Sequence, residues 1–490
     1  MMTPYQLTRQ ILLLVCGALL LSACAPQEPI IIYVTPTPLA DETQEITPVN
    51  TAIAAVGTPT PTLTHTPTVP ASPQPTITFV GPIVGPGYTP PVPPSPAPSA
   101  TPEIAATTPP PVATTPPPPF TPMPSLDPDQ MGVQVHSLLD QSDWNEVLRR
   151  VEQLGVGWAK IQIDWALLQP NAPDEISEAF RRQELYVESL HQRGIKVLVS
   201  VAKAPGWARS TAVESGPPDD PQALVRFLEL MMGEFGDAVE AVEVWNEPNL
   251  RREWQGQPLN GGSYMRYFEP AYRALRAYSD RMLVDPKKPR PRPLIVVTAG
   301  LAPTGTSDFS VDDRAYLQQM YDAGLGRYRD VMIGVHPYSW GNPPDARCCN
   351  AVEGQGWDDD PHFFFADNIA DYRAVMERNG HSAAQMMVTE FGWATWDAFP
   401  GAAPEEWMTY NDKWAQANYT MRAFEIGQGT GYIGPMILWN LNFGILDGKI
   451  EARDERAAYS LLVPLDPAER PLYWMIYDAV RPDVQLPRYD

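Results

Sequence analysis

Val242-Glu243-Val244-Trp245-Asn246-Glu247-Pro248-Asn249 is an alternating run of β-forming residues that passes directly into a polar Asn-Glu step and is then turned away by proline. Alternation with Val and Trp favours a strand, and proline cannot continue the ladder. The run therefore predicts that Glu247 stands at the C-terminal end of a strand. Met386-Met387-Val388-Thr389-Glu390-Phe391-Gly392-Trp393 repeats the pattern, an apolar run that ends on a carboxylate. Outward from these two, the chain beyond residue 130 alternates short β-rich apolar runs with amphipathic stretches of helical period, as βα units around a parallel sheet do.

Strands are expected over 132–136, 158–163, 196–201, 241–245, 294–298, 331–336, 386–389 and 435–439. Helices are expected over 143–154, 178–193, 221–235, 264–278, 313–323, 368–378, 411–426 and 470–480. Eight strands, each followed by a helix, predict an α/β fold of the (β/α)8 TIM-barrel kind, with Glu247 and Glu390 closing strands four and seven. An open, doubly wound sheet is the competing architecture. The long loops 338–367 and 393–406 carry Trp, Asp, Gly and Pro rather than periodic apolar residues, and in a barrel they lie at the catalytic end.

The N-terminal part differs in kind. Of the 57 prolines, 27 fall within 36–125, which holds only four charged residues, Asp41, Glu42, Glu45 and Glu103. Such a stretch cannot bury enough apolar surface to offset its ordering entropy, and it reads as a disordered Pro/Thr-rich spacer. Ahead of it, Arg9 precedes the apolar run 11–21, too short for a bilayer-spanning helix but suited to a signal-peptide core. The run ends in Leu21-Ser22-Ala23-Cys24, which resembles the bacterial lipobox; the resemblance implies cleavage before Cys24 and lipidation of its thiol. The expected organisation is a signal peptide at 1–23, a lipid-anchored linker at 24–127 and the barrel at 128–490. That places the mature chain outside the cytoplasm, anchored to the cell membrane.

Cys16 and Cys24 belong to the signal, leaving the adjacent Cys348 and Cys349; in an oxidising compartment a vicinal disulfide and two free thiols both remain open. Zinc spacing, His-Glu-x-x-His and Gly-x-Ser-x-Gly are missing, and 300–306 lacks the lysine of a phosphate loop. Neither metal nor cofactor is expected. From residue 131 onward 34 Lys and Arg face 51 Asp and Glu, a charge of −17, which would repel nucleic acid. The same region is rich in tryptophan, whose flat faces suit stacking on sugar rings, and a monomer is the expected state.

With the Asn-Glu-Pro step after strand four, a glutamate on strand seven and a tryptophan ending strand eight, the chain resembles the glycoside hydrolases of clan A. It is closest to family 39 and family 39-like enzymes, with family 5 next. The resemblance covers most of 131–490. It implies retaining hydrolysis of a β-linked glycan, with Glu247 as general acid/base and Glu390 as nucleophile. It further implies that Asn246 meets the sugar 2-hydroxyl, that Tyr338 of His336-Pro337-Tyr338 holds the nucleophile while His336 lines the sugar site, and that Trp439 floors the reacting subsite. Two departures stand out. Lys160 or Gln162 replaces the clan's arginine after strand two, and strand three ends in Lys203-Ala204-Pro205-Gly206-Trp207 without histidine.

The chemistry asks for the same pair independently. Retaining hydrolysis needs one protonated and one ionised carboxyl roughly 5–5.5 Å apart, and paired charge with partial burial is expected to separate their pKa values. Trp207, Trp340, Trp393 and Trp396 are candidate stacking platforms. Blander readings make Glu247 a helix-start carboxylate, Glu390 an ion-pair partner, His336 a satisfied core histidine and Trp439 a plain core aromatic. At the level of function, a non-catalytic carbohydrate-binding surface protein would need the tryptophans but neither glutamate, and a transglycosylase would share the covalent intermediate.

Overall fold

The computed structural model describes residues 125–349, 357–397, 399–445, 454–463 and 469–481. The expected signal, Cys16, Cys24 and the linker through 124 lie outside the described residues.

The strands are β1 Met131–Val135, β2 Trp158–Asp164, β3 Lys196–Ala202, β4 Val239–Val244, β5 Ile295–Thr298, β6 Val331–Val335, β7 Met386–Phe391 and β8 Ile433–Leu438. They pair in chain order, all parallel, and β8 returns to β1 through Met131–Met436, Gly132–Ile437 and Val133–Leu438. That closure excludes the open sheet. The helices that follow them are α1 Gln141–Leu154, α2 Glu178–His191, α3 Pro221–Phe235, α4 Gly261–Leu283, α5 Asp313–Asp322, α6 Phe365–Arg378, α7 Lys413–Thr430 and α8 Pro471–Ala479.

Local chemistry sets the ends of these elements. Asp140 caps α1 by accepting from Asp143 N, and the helix stops at Gly155, whose φ of 83° a β-carbon would resist. α3 starts with proline at its first position behind the Asp220 cap. α4 begins three residues earlier than its periodicity predicts, because Asn260 caps it through Ser263 N. β4 ends one residue before the predicted Trp245, since the backbone turns there: Trp245 has φ 79° and Glu247 φ 41°.

Two apolar shells hold the barrel. The outer one packs the helices onto the strands; α1 contributes Trp144, Val147, Leu148, Val151 and Leu154, each worth on the order of 1.5–3 kcal/mol when fully buried. The inner one is the cluster Trp158, Leu198, Ala241, Val297, Met387 and Ile437. A strand repeats its facing every two residues. Two positions further along the same strands come Lys160, Ser200, Glu243, Ala299, Thr389 and Trp439. The apolar plug thus gives way to a largely polar layer directly beneath the mouth.

Candidate active site

Glu390 lies near the end of β7 and Glu247 just beyond β4, and each is fastened from several sides. Glu390 Oε1 accepts from Lys160 Nζ at 2.9 Å and Oε2 from the Tyr338 hydroxyl at 3.0 Å. Burial and the charge of Glu390 push the Tyr338 phenol well above its usual range, so it remains a donor. Lys160 comes from β2, is fully buried, and also reaches Glu243 Oε2 at 2.9 Å and Thr389 O at 3.2 Å. Burial disfavours the ammonium, but the charges of Glu243 and Glu390 outweigh it and hold Lys160 above its ordinary value.

Glu247 is tied through its backbone, N–H donating to Gly300 O at 3.0 Å, and through its side chain, Oε1 lying 3.1 Å from His336 Nδ1. His336 Nε2 meets Thr389 Oγ1 at 3.1 Å. Gly300 must be glycine: a β-carbon there would stand 2.2 Å from His336 Nε2. Gly300 N–H also donates to Glu243 Oε1 at 2.9 Å, and Tyr264 on α4 bridges the strand ends by donating to Val244 O and accepting from Ala299 N.

Carboxylate oxygens of Glu247 and Glu390 and a ring nitrogen of His336 lie within 4.8 Å of one another. These are ligand-type atoms, yet each is engaged by protein: His336 at both nitrogens, Glu390 by Lys160 and Tyr338. The second such cluster, Asp312, Asp313 and His362, is likewise internally paired, with His362 between Asp312 and Asp360 and Asp313 against Arg314. Both sets read as hydrogen-bonded ion pairs.

Paired negative charge and partial burial were expected to separate the pKa values of the two carboxyls. Burial does push Glu247 up, but the hydrogen bond and charge of His336, then Arg252 and Lys160, outweigh it and leave the carboxyl below its usual range. His336 is correspondingly raised: burial opposes its protonation, and the charges of Glu390 and Glu247 override burial.

The cleft above these groups encloses about 780 Å³, within the range of small-molecule sites. Glu247, Glu390, Asn246, Tyr338, Trp439 and Trp340 all line it. Asn246 Oδ1 is buried without a hydrogen-bond partner among the described residues. Trp439 packs edge-on to Tyr338 and against Tyr459. Among the described residues, the non-glycine positions with positive φ are Lys203, Trp245, Glu247 and Trp340. All four stand at the mouth ends of β3, β4 and β6, where such strain collects at functional sites.

Other candidates sit elsewhere. Trp207 is absent from the lining: its indole donates to Gln169 O at 2.8 Å and packs edge-on against Trp165. Trp393 donates to Asn342 O inside the core, and Trp396 packs on Phe399. Lys160 and His336 lie under the cleft floor, supporting the carboxylates from below. No helix begins at Pro248; the next element is the short 3-10 turn Arg251–Glu253. The Cys348 and Cys349 sulfurs are paired with each other in the loop after β6. Sequence reasoning missed Glu243, Thr389, Arg252 and Glu253. For Glu243 a signal existed, a charged residue inside the apolar run that closes β4.

No family model and no curated protein matches the chain. Solved structures do match. A family 39 glycoside hydrolase from Bacteroides cellulosilyticus WH2 aligns with TM-score 0.52 at 18% identity, over 73% of this chain and 64% of that one. The chain thus spans less than two thirds of that protein. The likeness shows the fold. A glucosidase from Croceicoccus marinus aligns at 12% identity over 73% and 68% of the two chains, with TM-score 0.46. An endo-beta-1,4-glucanase from Xanthomonas axonopodis pv. citri aligns at 12% over 73% and 100%, with TM-score 0.44.

Proposed function

We propose that the protein is a retaining glycoside hydrolase that cleaves a β-linked oligo- or polysaccharide at the cell surface. One observation carries this reading: Glu247 and Glu390, at the ends of β4 and β7, bring carboxylate oxygens within 4.8 Å of each other at one cleft. That closeness suits the retaining spacing of about 5–5.5 Å rather than the roughly 6.5–9.5 Å of an inverting pair.

In the first step Glu390 attacks the anomeric carbon. The glycosidic C–O bond breaks as Glu247 donates a proton to the leaving oxygen. In the second, water attacks the same carbon while Glu247 accepts its proton, and the ester bond to Glu390 breaks. Lys160 and Tyr338 hold Glu390 in line, and Asn246 offers its unpartnered amide oxygen to the sugar 2-hydroxyl. Leu21-Ser22-Ala23-Cys24 supports anchoring through a lipidated Cys24, and the Pro/Thr-rich 36–125 would give the barrel reach from the membrane.

The test is a pair of variants. Glu390→Gln should abolish turnover. Glu247→Ala should spare an activated aryl glycoside, whose leaving group needs no proton, and regain rate with azide through a retained-configuration glycosyl azide. Equal losses on every substrate, with no azide product, would refute the assignment.

A further inference from the structure

The β5–β6 side of the cleft holds an aromatic wall that neither chemical step uses. In the closed strand order Glu247, just beyond β4, and Glu390, on β7, divide the mouth into two arcs. The arc through β8 carries Trp439 beside the nucleophile, packed edge-on against the Tyr338 ring whose hydroxyl holds Glu390. The arc through β5 and β6 carries Pro303, Trp340 and Phe363, all lining the cleft. Trp340 and Phe363 stack with ring centroids 3.5 Å apart and planes 9° from parallel, and both are partly exposed. Phe363 covers one face of the indole and leaves the other for a ligand. A sugar ring held over Glu390 and Trp439 for attack turns its leaving oxygen toward Glu247, so the next ring lies on one of the two sides that flank Glu247. Toward β2 and β3 that side presents the Asp164–Lys203 ion pair. Toward β5 and β6 it presents the aromatic pair, whose flat faces suit stacking on a sugar.

The wall is fastened from behind. Phe363 ends the 3-10 turn Pro361–Phe363, and the middle residue of that turn, His362, has a carboxylate on each ring nitrogen: Nδ1 lies 2.7 Å from Asp360 Oδ1 and Nε2 lies 2.8 Å from Asp312 Oδ2. Ionised carboxylates only accept hydrogen bonds. Both nitrogens must therefore donate, and the ring is the imidazolium. Asp312 is itself fixed as the cap of α5, its other oxygen accepting from Ala315 N at 2.8 Å. The hydrogen bond to Asp312 raises His362 above its ordinary value; burial opposes this, and Asp360 adds to it. The other charged groups around the ring are Asp313 and Arg314 of α5, paired at 2.8 Å, and Asp371 of α6, which Arg314 also meets at 3.2 Å. Asn368 of α6 donates to His362 O at 2.9 Å, and Asn342, two residues beyond Trp340, donates to Phe363 O at 2.8 Å. Without its second proton the imidazole can satisfy only one of the two carboxylates, and the tie between the turn and α5 is lost.

We propose that Trp340, backed by Phe363, stacks on the sugar ring that departs in the first step, and that His362 is the positioning residue that holds this wall in place. The proposal rests on the glycosidase reading above and names the residues that grip the leaving sugar.

The probes are the β-linked oligosaccharide that the wild-type protein turns over best and the matching β-glycosyl fluoride, whose small leaving group leaves the β5–β6 side empty. Trp340→Ala should fall on the order of 10-fold further in kcat/KM on the oligosaccharide than on the fluoride, mainly through KM. Trp340→Phe, which keeps a flat ring, should recover most of that difference. Should Trp340→Ala fail to fold by circular dichroism, Trp340→Leu, which keeps apolar bulk without a flat face, is read against Trp340→Phe. The ratio of the two KM values, oligosaccharide over fluoride, cancels the titration of the carboxylates that both probes share. In the wild type this ratio should be low while His362 is charged and should rise as pH climbs through the His362 titration, followed by its imidazole NMR signal. His362→Gln, which cannot carry the charge, should show a raised ratio that no longer depends on pH.

Equal effects of Trp340→Ala on both probes overturn the stacking role, and so does a wild type active on the fluoride but on no oligosaccharide. A wild-type ratio indifferent to pH, or one that His362→Gln leaves unaltered, overturns the positioning role. A wild-type protein inactive on every glycoside and fluoride brings down the glycosidase reading and this inference with it. An active wild type with an indifferent Trp340 brings down this inference alone.

Discussion

The Lys160 ammonium lies 2.9 Å from Glu390 Oε1, from a side chain with no solvent exposure. It is 230 residues distant from Glu390 in sequence and lies equally close to Glu243. One buried cation thus serves two buried carboxylates. Lys160→Met should destabilise the fold by about 3–5 kcal/mol, because both charges are left unpaired in the interior, and should lower kcat. Adding Glu243→Gln should restore most of the stability but not the rate, since Glu390 is still unbraced. Chemical denaturation and kcat of the three variants check this; a Lys160→Met protein of wild-type rate would contradict the positioning role. The pair also defines a pH window. Glu243 is held low in the fold, its burial outweighed by Lys160 and then His336, so its contribution is present above its unfolded value of about 4.3 and is lost as pH falls through the folded one. Lys160 is raised, so its contribution is present below about 10.4 and is lost as pH climbs through the folded value. The stability gap between wild type and Lys160→Met should narrow as pH falls, because the unpaired buried carboxylates of the variant take up protons, and narrow again as pH climbs through the folded value of Lys160.

Tyr338 donates to Glu390 Oε2 at 3.0 Å. Tyr338→Phe keeps the ring that packs on Trp439 and Tyr459 and deletes a hydrogen bond to a charged group. Such bonds contribute about 1.5–3 kcal/mol, so kcat should fall on the order of 10–100-fold. The melting temperature should move little. A large melting shift with unchanged kcat would assign Tyr338 to packing instead.

Glu253 inverts the usual pH dependence of a carboxyl. Its folded value of about 7 lies above the unfolded value of about 4.3, so the folded state binds more protons between the two and loses stability as pH rises through that window. Glu253→Gln removes the titration. Relative to wild type it should gain on the order of 2 kcal/mol between pH 5 and pH 8. Urea unfolding at both pH values reads the difference, and no change across the window would contradict the burial of this carboxyl.

The described chain is stitched to the barrel from residue 126 onward. Leu126 N–H donates to Ala479 O at 3.1 Å, Asp127 exchanges hydrogen bonds with Gln428, and Asp129 O accepts from the Trp158 indole at 2.8 Å. A chain beginning at Ser125 should melt with the full mature chain and match its aryl-glycosidase rate. One beginning at Met131 should melt lower, because the Trp158 end of the barrel loses its cover. A markedly lower melting temperature already at the Ser125 start would refute the spacer reading of 36–125.

All eight predicted strands exist because their cause is local: a short, β-rich apolar run bounded by breakers is visible in the chain itself. For the same reason Glu247 and Glu390 were legible as strand-end carboxylates, each standing where its own run stops. Lys160 was visible as an oddity but not as a brace for Glu390, since the contact depends on how β2 and β7 face each other across the barrel. The His336–Glu247 pair was equally hidden, and with it the downward shift of the Glu247 carboxyl. Trp207 and Trp340 read alike in sequence, yet one packs into the wall beside Trp165 and the other lines the cleft. By itself the sequence determined the eight strands and the helices that follow them, the two carboxylates and the compositional break before the barrel, because each follows from neighbours along the chain. Closure alone decided which polar groups share the layer beneath the mouth, where Glu253 points and which carboxyl is held low. Those depend on distances between residues that only the closed barrel brings together.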